Sequence, residues 1–455
     1  MNGDRARGYS VTGAEAVVVG AGRSGVAAAG LLARRGARVT LSERLADTPE
    51  AATELLAAGV TLELGGHRPE TFAAADLIVL SPGVSPRLPE VAAARARGIP
   101  VMSELELAAR WLRGRIVAVT GTKGKSTTVV LTGRMLDADG RRAVVGGNIG
   151  VALSSQVEAS TPDAVHVVEA SSFQLELTDT FRPWIAVCLN LSPDHLDRHA
   201  SFAEYAEAKG RIFANQTSDD AMVINADDPA VLELARKGQA RALRFAIDAP
   251  LADGVQVTDE WITRRSVAGE ERLIPRTAIR VPGRHLLSDV AAAAAVGSAA
   301  GVAAEAMTRA VESFTGLPHT LEFVREVNGV RYVNDSKATN LVAARAAIEC
   351  FGPGLTVILG GRFKGGRFED LRSALVDRGA TVVVIGEARD RIRAALDPDV
   401  TVREADTMAE AVGAASAETR PGGTVLLAPA CASLDMFVNY AARGAAFREA
   451  VQALE

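Results

Sequence analysis

Short apolar runs bounded by glycine or polar residues recur along the chain, with alanine-rich stretches of helical period between them. In the first third the runs are AVVV (16–19), ARVTLS (37–42) and LIVLS (77–81), and a helical stretch runs from Val26 to Arg35. This rhythm predicts βαβ units and a parallel sheet. A new unit starts near 111, where RIVAVT (115–120) enters a glycine-rich turn and then a helix from Ser126. AVHVVE (164–169) and IAVCLN (185–190) predict two more buried strands, followed by a helix from Phe202 through EYAEAKGRIF. From GLPH (316–319) the pattern restarts with VRYVN, TVILGG, TVVVIG and TVLLAPA. Three α/β domains are expected, over residues 1–103, 104–315 and 316–455. No repeat of solenoid period interrupts them, and the alanine-rich 290–306 segment is helix-forming composition.

Length alone supports several domains, since 455 residues exceed what one hydrophobic core organises. Hydrophobic residues are 48% and charged residues 23%, the usage of globular proteins. A net charge of −5 argues against a nucleic-acid or membrane-surface binder. Three scattered cysteines (Cys188, Cys350, Cys431) make no disulfide framework or zinc cluster. No apolar tract reaches a membrane span, and MNGDRARGYS lacks a secretion signal. The expectation is a cytoplasmic monomer without nucleic-acid or membrane partners.

Two glycine-rich turns carry candidate chemistry. GAGRSG (20–25) has GxGxxG spacing after a strand, with Glu43 ending the next strand, which nominates a dinucleotide or a UDP-sugar without choosing between them. GTKGKST (121–127) offers backbone donors, the Lys125 ammonium and the Ser126 hydroxyl to a triphosphate and its magnesium, although Val119 stands where the first glycine of a P-loop is usual. The expected architecture is therefore Rossmann-like, then P-loop ATPase-type, then Rossmann-like. Glu169 ends the VHVV run, and His195 follows AVCLNLS, where strand ends open into ligand crevices. Taken alone, His195 reads more readily as a surface-loop histidine, and its position after a strand beside the GTKGKST unit shifts that only modestly towards a ligand.

Lys209 is the anomaly. Ser201 and Glu204 form a capping-box pattern, so the helix starts at Phe202 and places Phe202, Tyr205, Ile212 and Phe213 around Lys209 on its apolar face. An ammonium there is costly unless it is paired or chemically altered, or unless it snorkels out from the edge.

With GGNIG (146–150), EASSFQLE (169–176), NLSPDHLDRH (190–199), GLPH, NDSKATN (334–340) and APACASLDMF (428–437) added to GTKGKST, the chain resembles the ATP-dependent Mur ligases of peptidoglycan precursor synthesis. NDSKATN and ACASLD resemble the branch that adds D-glutamate. The resemblance implies a first domain holding UDP-N-acetylmuramoyl-L-alanine, a central ATP domain and a C-terminal domain for glutamate. It also implies ATP and two Mg2+ sites. Gly121, Thr122, Lys123, Gly124, Lys125, Ser126 and Thr127 would cradle the phosphates, with His319 and Asp335 on the nucleotide side. Ser126 and Glu169 would hold the first magnesium. His195 and Lys209 would hold the second, Lys209 as a carbamate. Asn148 would lie near the reacting carboxylate. Arg23, Ser24, Glu43 and Gly83 would contact the uridine diphosphate, and Thr339, Lys364, Ser433 and Tyr440 the glutamate carboxylates.

The chain departs from the family pattern at three places. His285, Leu286 and Asp289 replace the usual HNxxN, Thr320 replaces an arginine after His319, and GGRFKGG (360–366) replaces GGxDKG. The last places Arg362 and Phe363 beside Lys364, which keeps L-glutamate open as the alternative substrate. A folylpolyglutamate-synthetase-like ligase is disfavoured by the N-terminal GxGxxG domain, and an NAD-dependent oxidoreductase would leave GTKGKST unexplained.

Overall fold

In the computed structural model, which describes residues 9–454 except 48, 196 and 197, three sheets follow one another along the chain. The first contains β1 (Glu15–Val19), β2 (Arg38–Glu43), β3 (Thr61–Leu64), β4 (Leu77–Leu80) and β5 (Val101–Ser103), ordered β3-β2-β1-β4-β5 with every pairing parallel. Successive side chains of a strand point to opposite faces. Accordingly Ala16 and Val18 pack with Leu31, Leu32 and Leu41, while Val17 and Val19 pack with Phe72, Ile78 and Val91. Both faces are covered, as a parallel sheet requires.

The second sheet contains β6 (Arg115–Thr120), β7 (Ala143–Gly147), β8 (Val165–Glu169), β9 (Ile185–Cys188), β10 (Ala221–Asn225), β11 (Arg241–Ala246), β12 (Gly254–Val257), β13 (Trp261–Ser266) and β14 (Gly269–Pro275). Its order is β14-β13-β12-β11-β10-β9-β6-β8-β7, parallel except for the antiparallel β12-β13-β14 extension. The third contains β15 (Glu322–Val327), β16 (Val330–Asn334), β17 (Leu355–Gly360), β18 (Thr381–Ile385), β19 (Thr401–Glu404) and β20 (Thr424–Leu427), ordered β15-β16-β20-β17-β18-β19, with only β15 antiparallel.

Strand order reverses at β1 and at β6, and open α/β sheets bind ligands in the crevice at such points, beyond the carboxyl ends of the strands. GAGRSG leaves β1 and GTKGKST leaves β6. In the third sheet NDSKATN, ACASLD and GGRFKGG leave the carboxyl ends of three adjacent strands, β16, β20 and β17.

The expected helix from Val26 begins three residues earlier, at Arg23, and the expected helix through Phe213 ends at Gly210 and tightens into a 3-10 turn, Arg211–Phe213. The strand expected over IAVCLN stops at Cys188: Leu189 N–H makes the last ladder bond, to Thr120 O, and the Asn190 side chain pairs with the backbone of Lys123. Residues up to Arg276 with Ser288–Val311 form one compact unit; Thr277–Leu287 with the chain from Glu312 onward forms a second. Among the described residues no helix is long and apolar enough to cross a membrane.

Candidate active site

GTKGKST is held from both sides before any ligand is considered. Asn190 makes a reciprocal pair with Lys123, accepting its N–H (2.9 Å) and donating to its carbonyl (3.0 Å). Thr122 meets the Tyr205 hydroxyl at 3.0 Å and accepts the Ser192 N–H at 3.0 Å. Gly124 caps the helix Lys125–Ala138 with φ 86°, a left-handed conformation, and a Cβ built there would lie 2.0 Å from Asp289 Oδ1. Glycine is required by backbone and by space. Asp289, one of the departures from the family pattern, is thus packed directly on the loop. Its carboxyl is pushed well up by burial, against a hydrogen bond from Thr127 and the Lys125 charge. Gly124→Ala should destabilise the fold by about 1–3 kcal/mol through strain and the Asp289 clash, with loss of ATP binding. Thermal melts and nucleotide titration check this, and a variant as stable and as tight-binding as the parent would contradict it.

At the mouth of the loop three polar side chains form a chain. Ser126 Oγ donates to Glu169 Oε2 at 2.6 Å, and Asn148 Nδ2 donates to Glu169 Oε1 at 2.9 Å. Glu169 is brought there because β8 lies beside β6 in register, Val119 opposite Glu169. A hydroxyl next to a carboxylate is a hard-oxygen donor set that fits Mg2+.

Lys125 and Lys209 converge on one carbonyl. Lys125 Nζ donates to Gly121 O (3.0 Å) and Thr122 O (3.0 Å), and Lys209 Nζ donates to the same Gly121 O (2.9 Å) and to Thr120 Oγ1 (3.3 Å). Lys209 is only 2% exposed, its amine 4.8 Å from the centre of the Tyr205 ring, so it points inward and does not snorkel. Burial, reinforced by the Lys125 charge, lowers its pKa to about 7. The Lys125 pKa is lowered by burial too, with Glu169 opposing. His195 is exposed, in the loop after the buried Leu191, with φ 53°, its ring 4.9 Å from Phe173 and its N–H on Asp194. Leu196 and Asp197 of NLSPDHLDRH lie outside the described residues. Among the described residues no cluster of three or more His, Cys, Asp or Glu could hold a metal ion.

In the first sheet Glu43 braces the glycine turn, accepting Ala21 N–H (2.7 Å) and Leu45 N–H (3.0 Å). Burial opposes ionisation of its carboxyl, but these bonds prevail and its pKa is lowered. Arg23 donates to Gly150 O at 2.8 Å, tying the turn to the GGNIG segment. Ser24 is half-buried at the start of the helix Arg23–Arg34, and Gly83 is exposed.

The second unit gathers the remaining candidates. Thr339 receives a long 3.5 Å contact from Lys364 Nζ; Ser433 is buried; Tyr440 is exposed at the head of the helix Tyr440–Gln452. His319, at φ 63°, donates its N–H to Glu322 and pairs through Nδ1 with Asn334. The Asp335 carboxyl accepts Leu321 N–H, and burial raises its pKa to about 6. Sequence reasoning missed Arg443, 1% exposed. Its guanidinium donates to Ser336 Oγ (3.0 Å), Ser336 O (2.9 Å), Cys431 O (3.1 Å) and Gly360 O (3.4 Å), one residue on each of the three loops. No local pattern distinguishes this arginine from a surface one.

Three family models cover the chain in order: the Mur ligase MurD-like N-terminal domain over 14–103, the Mur ligase middle domain over 119–297 and the Mur ligase glutamate ligase domain over 321–431. The chain belongs to the Mur ligase family. Within it, the chain is 45% identical over 97% of its length (96% of the relative) to a UDP-N-acetylmuramoylalanine--D-glutamate ligase of Acidobacterium capsulatum, and 44% identical over 98% of both chains to one of Geobacter metallireducens. The fold is also that of a UDP-N-acetylmuramate-alanine ligase from Thermotoga maritima (TM-score 0.56, 19% identity, 96% of this chain and 99% of that one).

Proposed function

We propose that this protein is an ATP-dependent, ADP-forming ligase that joins D-glutamate to UDP-N-acetylmuramoyl-L-alanine in cytoplasmic peptidoglycan precursor synthesis. Full-length likeness to D-glutamate ligases supports the substrate reading, and the observation that carries the chemistry is the Ser126–Glu169–Asn148 chain beside Lys125 and the buried Lys209. The carboxylate of the UDP substrate attacks the γ-phosphorus of ATP, the bond to the β-phosphate oxygen breaks, and ADP leaves. The glutamate amine attacks the resulting acyl phosphate, and the tetrahedral adduct expels phosphate as the amine loses a proton.

Such chemistry needs alignment and charge neutralisation more than an acid and a base. Lys125 faces the charge accumulating on the terminal phosphates, and backbone N–H groups at the start of the helix Lys125–Ala138 bind the phosphate oxygens. Asn148 orients the reacting carboxylate. Ser126 and Glu169 would hold one magnesium, and His195 and a carbamylated Lys209 a second. Bound magnesium would neutralise phosphate charge and align the γ-phosphate. Arg23, Ser24, Glu43 and Gly83 serve the uridine diphosphate, His319 and Asp335 the nucleotide, and Thr339, Lys364, Ser433 and Tyr440 the glutamate. The boundaries 1–103, 104–315 and 316–455 remain the proposed functional division, supported by the order of the three family models along the chain.

Phosphate release from ATP with UDP-N-acetylmuramoyl-L-alanine should depend on D-glutamate. Equal or faster release with L-glutamate would overturn the stereochemical assignment.

A further inference from the structure

GGRFKGG combines four glycines of positive φ, Gly360 (132°), Gly361 (124°), Gly365 (114°) and Gly366 (106°), with the one lysine assigned to a glutamate carboxylate. Glycine loops are entropically soft, and an ammonium carried on one is poorly aimed unless something fixes it. The base of the loop is fixed through its backbone. Arg362 and Ala432 exchange N–H···O bonds at 2.8 and 2.9 Å, beside Ser433, and the Arg362 guanidinium meets Glu387 at 3.1 Å. These contacts stop one residue short of the tip.

The tip is fixed by Phe363. Its ring stacks on Phe368 with centroids 4.2 Å apart and planes at 27°, and the Arg391 guanidinium lies 5.2 Å from the ring centroid. Phe368 is 4% exposed, on the turn Phe368–Leu371 that packs into the core of the unit, and Arg391 stands on the helix Arg389–Leu396. The half-buried Phe363 thus rests against two elements that do not belong to the loop, while its neighbour Lys364 reaches Thr339. Stacked rings contribute directional energy beyond the area they bury, and a guanidinium near the ring adds to it.

We propose that Phe363 is a positioning residue for glutamate: the Phe363–Phe368–Arg391 stack holds the loop tip so that Lys364 meets the substrate carboxylate already aimed. This rests on the assignment of Lys364 to the glutamate site. Phe363 touches no reacting atom, so it acts on binding of the amino acid and leaves the phosphoryl-transfer step alone.

The test is steady-state kinetics on the full-length enzyme. Phe363→Ala should raise KM for D-glutamate by about 3- to 10-fold, the range a lost aromatic pair corresponds to, with kcat and KM for ATP within about twofold of the parent. Phe363→Tyr, which keeps the ring, should restore KM. On a Lys364→Ala background Phe363→Ala should add nothing, because the group it aims is gone. An unchanged KM in Phe363→Ala, or an equal rise on the Lys364→Ala background, would overturn the proposal. If Lys364→Ala itself leaves glutamate KM untouched, it is the assignment of Lys364 that fails. Near-ultraviolet circular dichroism and a melting temperature close to the parent's confirm that the variants are folded.

Discussion

Replacing Lys125 by alanine should lower kcat by about 100- to 1000-fold while leaving a folded protein. The size of the effect follows from where charge develops. In the first step the γ-phosphoryl group passes between two oxyanions, and negative charge grows on the leaving β-phosphate oxygen. On the proposed assignment, the Lys125 ammonium, on the first turn of the helix Lys125–Ala138, would meet that charge in a partly buried setting where Coulomb attraction is stronger than in water. Stability should change little. Lys125 is held by the carbonyls of Gly121 and Thr122, but burial lowers its pKa, so keeping an ammonium there is itself costly and its loss is offset. Turnover within a few-fold of the parent would show that the loop does not serve the terminal phosphates.

The same loop shows how much the sequence carried. The turn after RIVAVT, the carboxylate at the end of AVHVVE and the lysine on the apolar face of the EYAEAKGRIF helix were all readable, because each is fixed by local periodicity and by the rule that ligands gather at carboxyl strand ends. What joins them was not. The pairing of Asn190 with Lys123, the seating of Asp289 on Gly124 and the grip of Arg443 on three loops are contacts between residues far apart in sequence. No periodicity encodes them. The β12-β13-β14 extension was missed for a different reason: TRRS and GEER are runs without an apolar residue, so they show no apolar–polar alternation to signal a strand. The hairpin β15-β16 was half-read. VRYVN is a buried run, but its partner EFVREV is only partly buried, and the Asn328-Gly329 turn between them was the available cue.

Lys209→Ala should cost on the order of 100-fold in activity, and a small carboxylate such as acetate should restore part of it, because the proposed carbamate would place an anion at that position. The structure supplies the physical reason. Two lysines donate to the single carbonyl of Gly121, and one of them is almost entirely removed from water. With its pKa lowered to about 7, Lys209 presents a substantial share of neutral amine at neutral pH, the form that adds CO2. The proposed carbamate would exchange a like-charge repulsion with Lys125 for an attraction, and its oxygens would suit a hard cation. The sign of the pH dependence follows. An unfolded lysine titrates near its model value of 10.5, so between about 7 and that value the unfolded chain binds more protons, and stability rises with pH across the window. Below about 7 the amine is protonated and can no longer react, so activity should fall with acidification, fall on CO2 depletion at fixed pH, and return with bicarbonate. Carbon-13 bicarbonate should give one carbamate resonance in the wild type that is missing from Lys209→Ala. Parental activity in Lys209→Ala, or indifference to CO2, would leave the amine as an unmodified buried donor to Gly121 and Thr120.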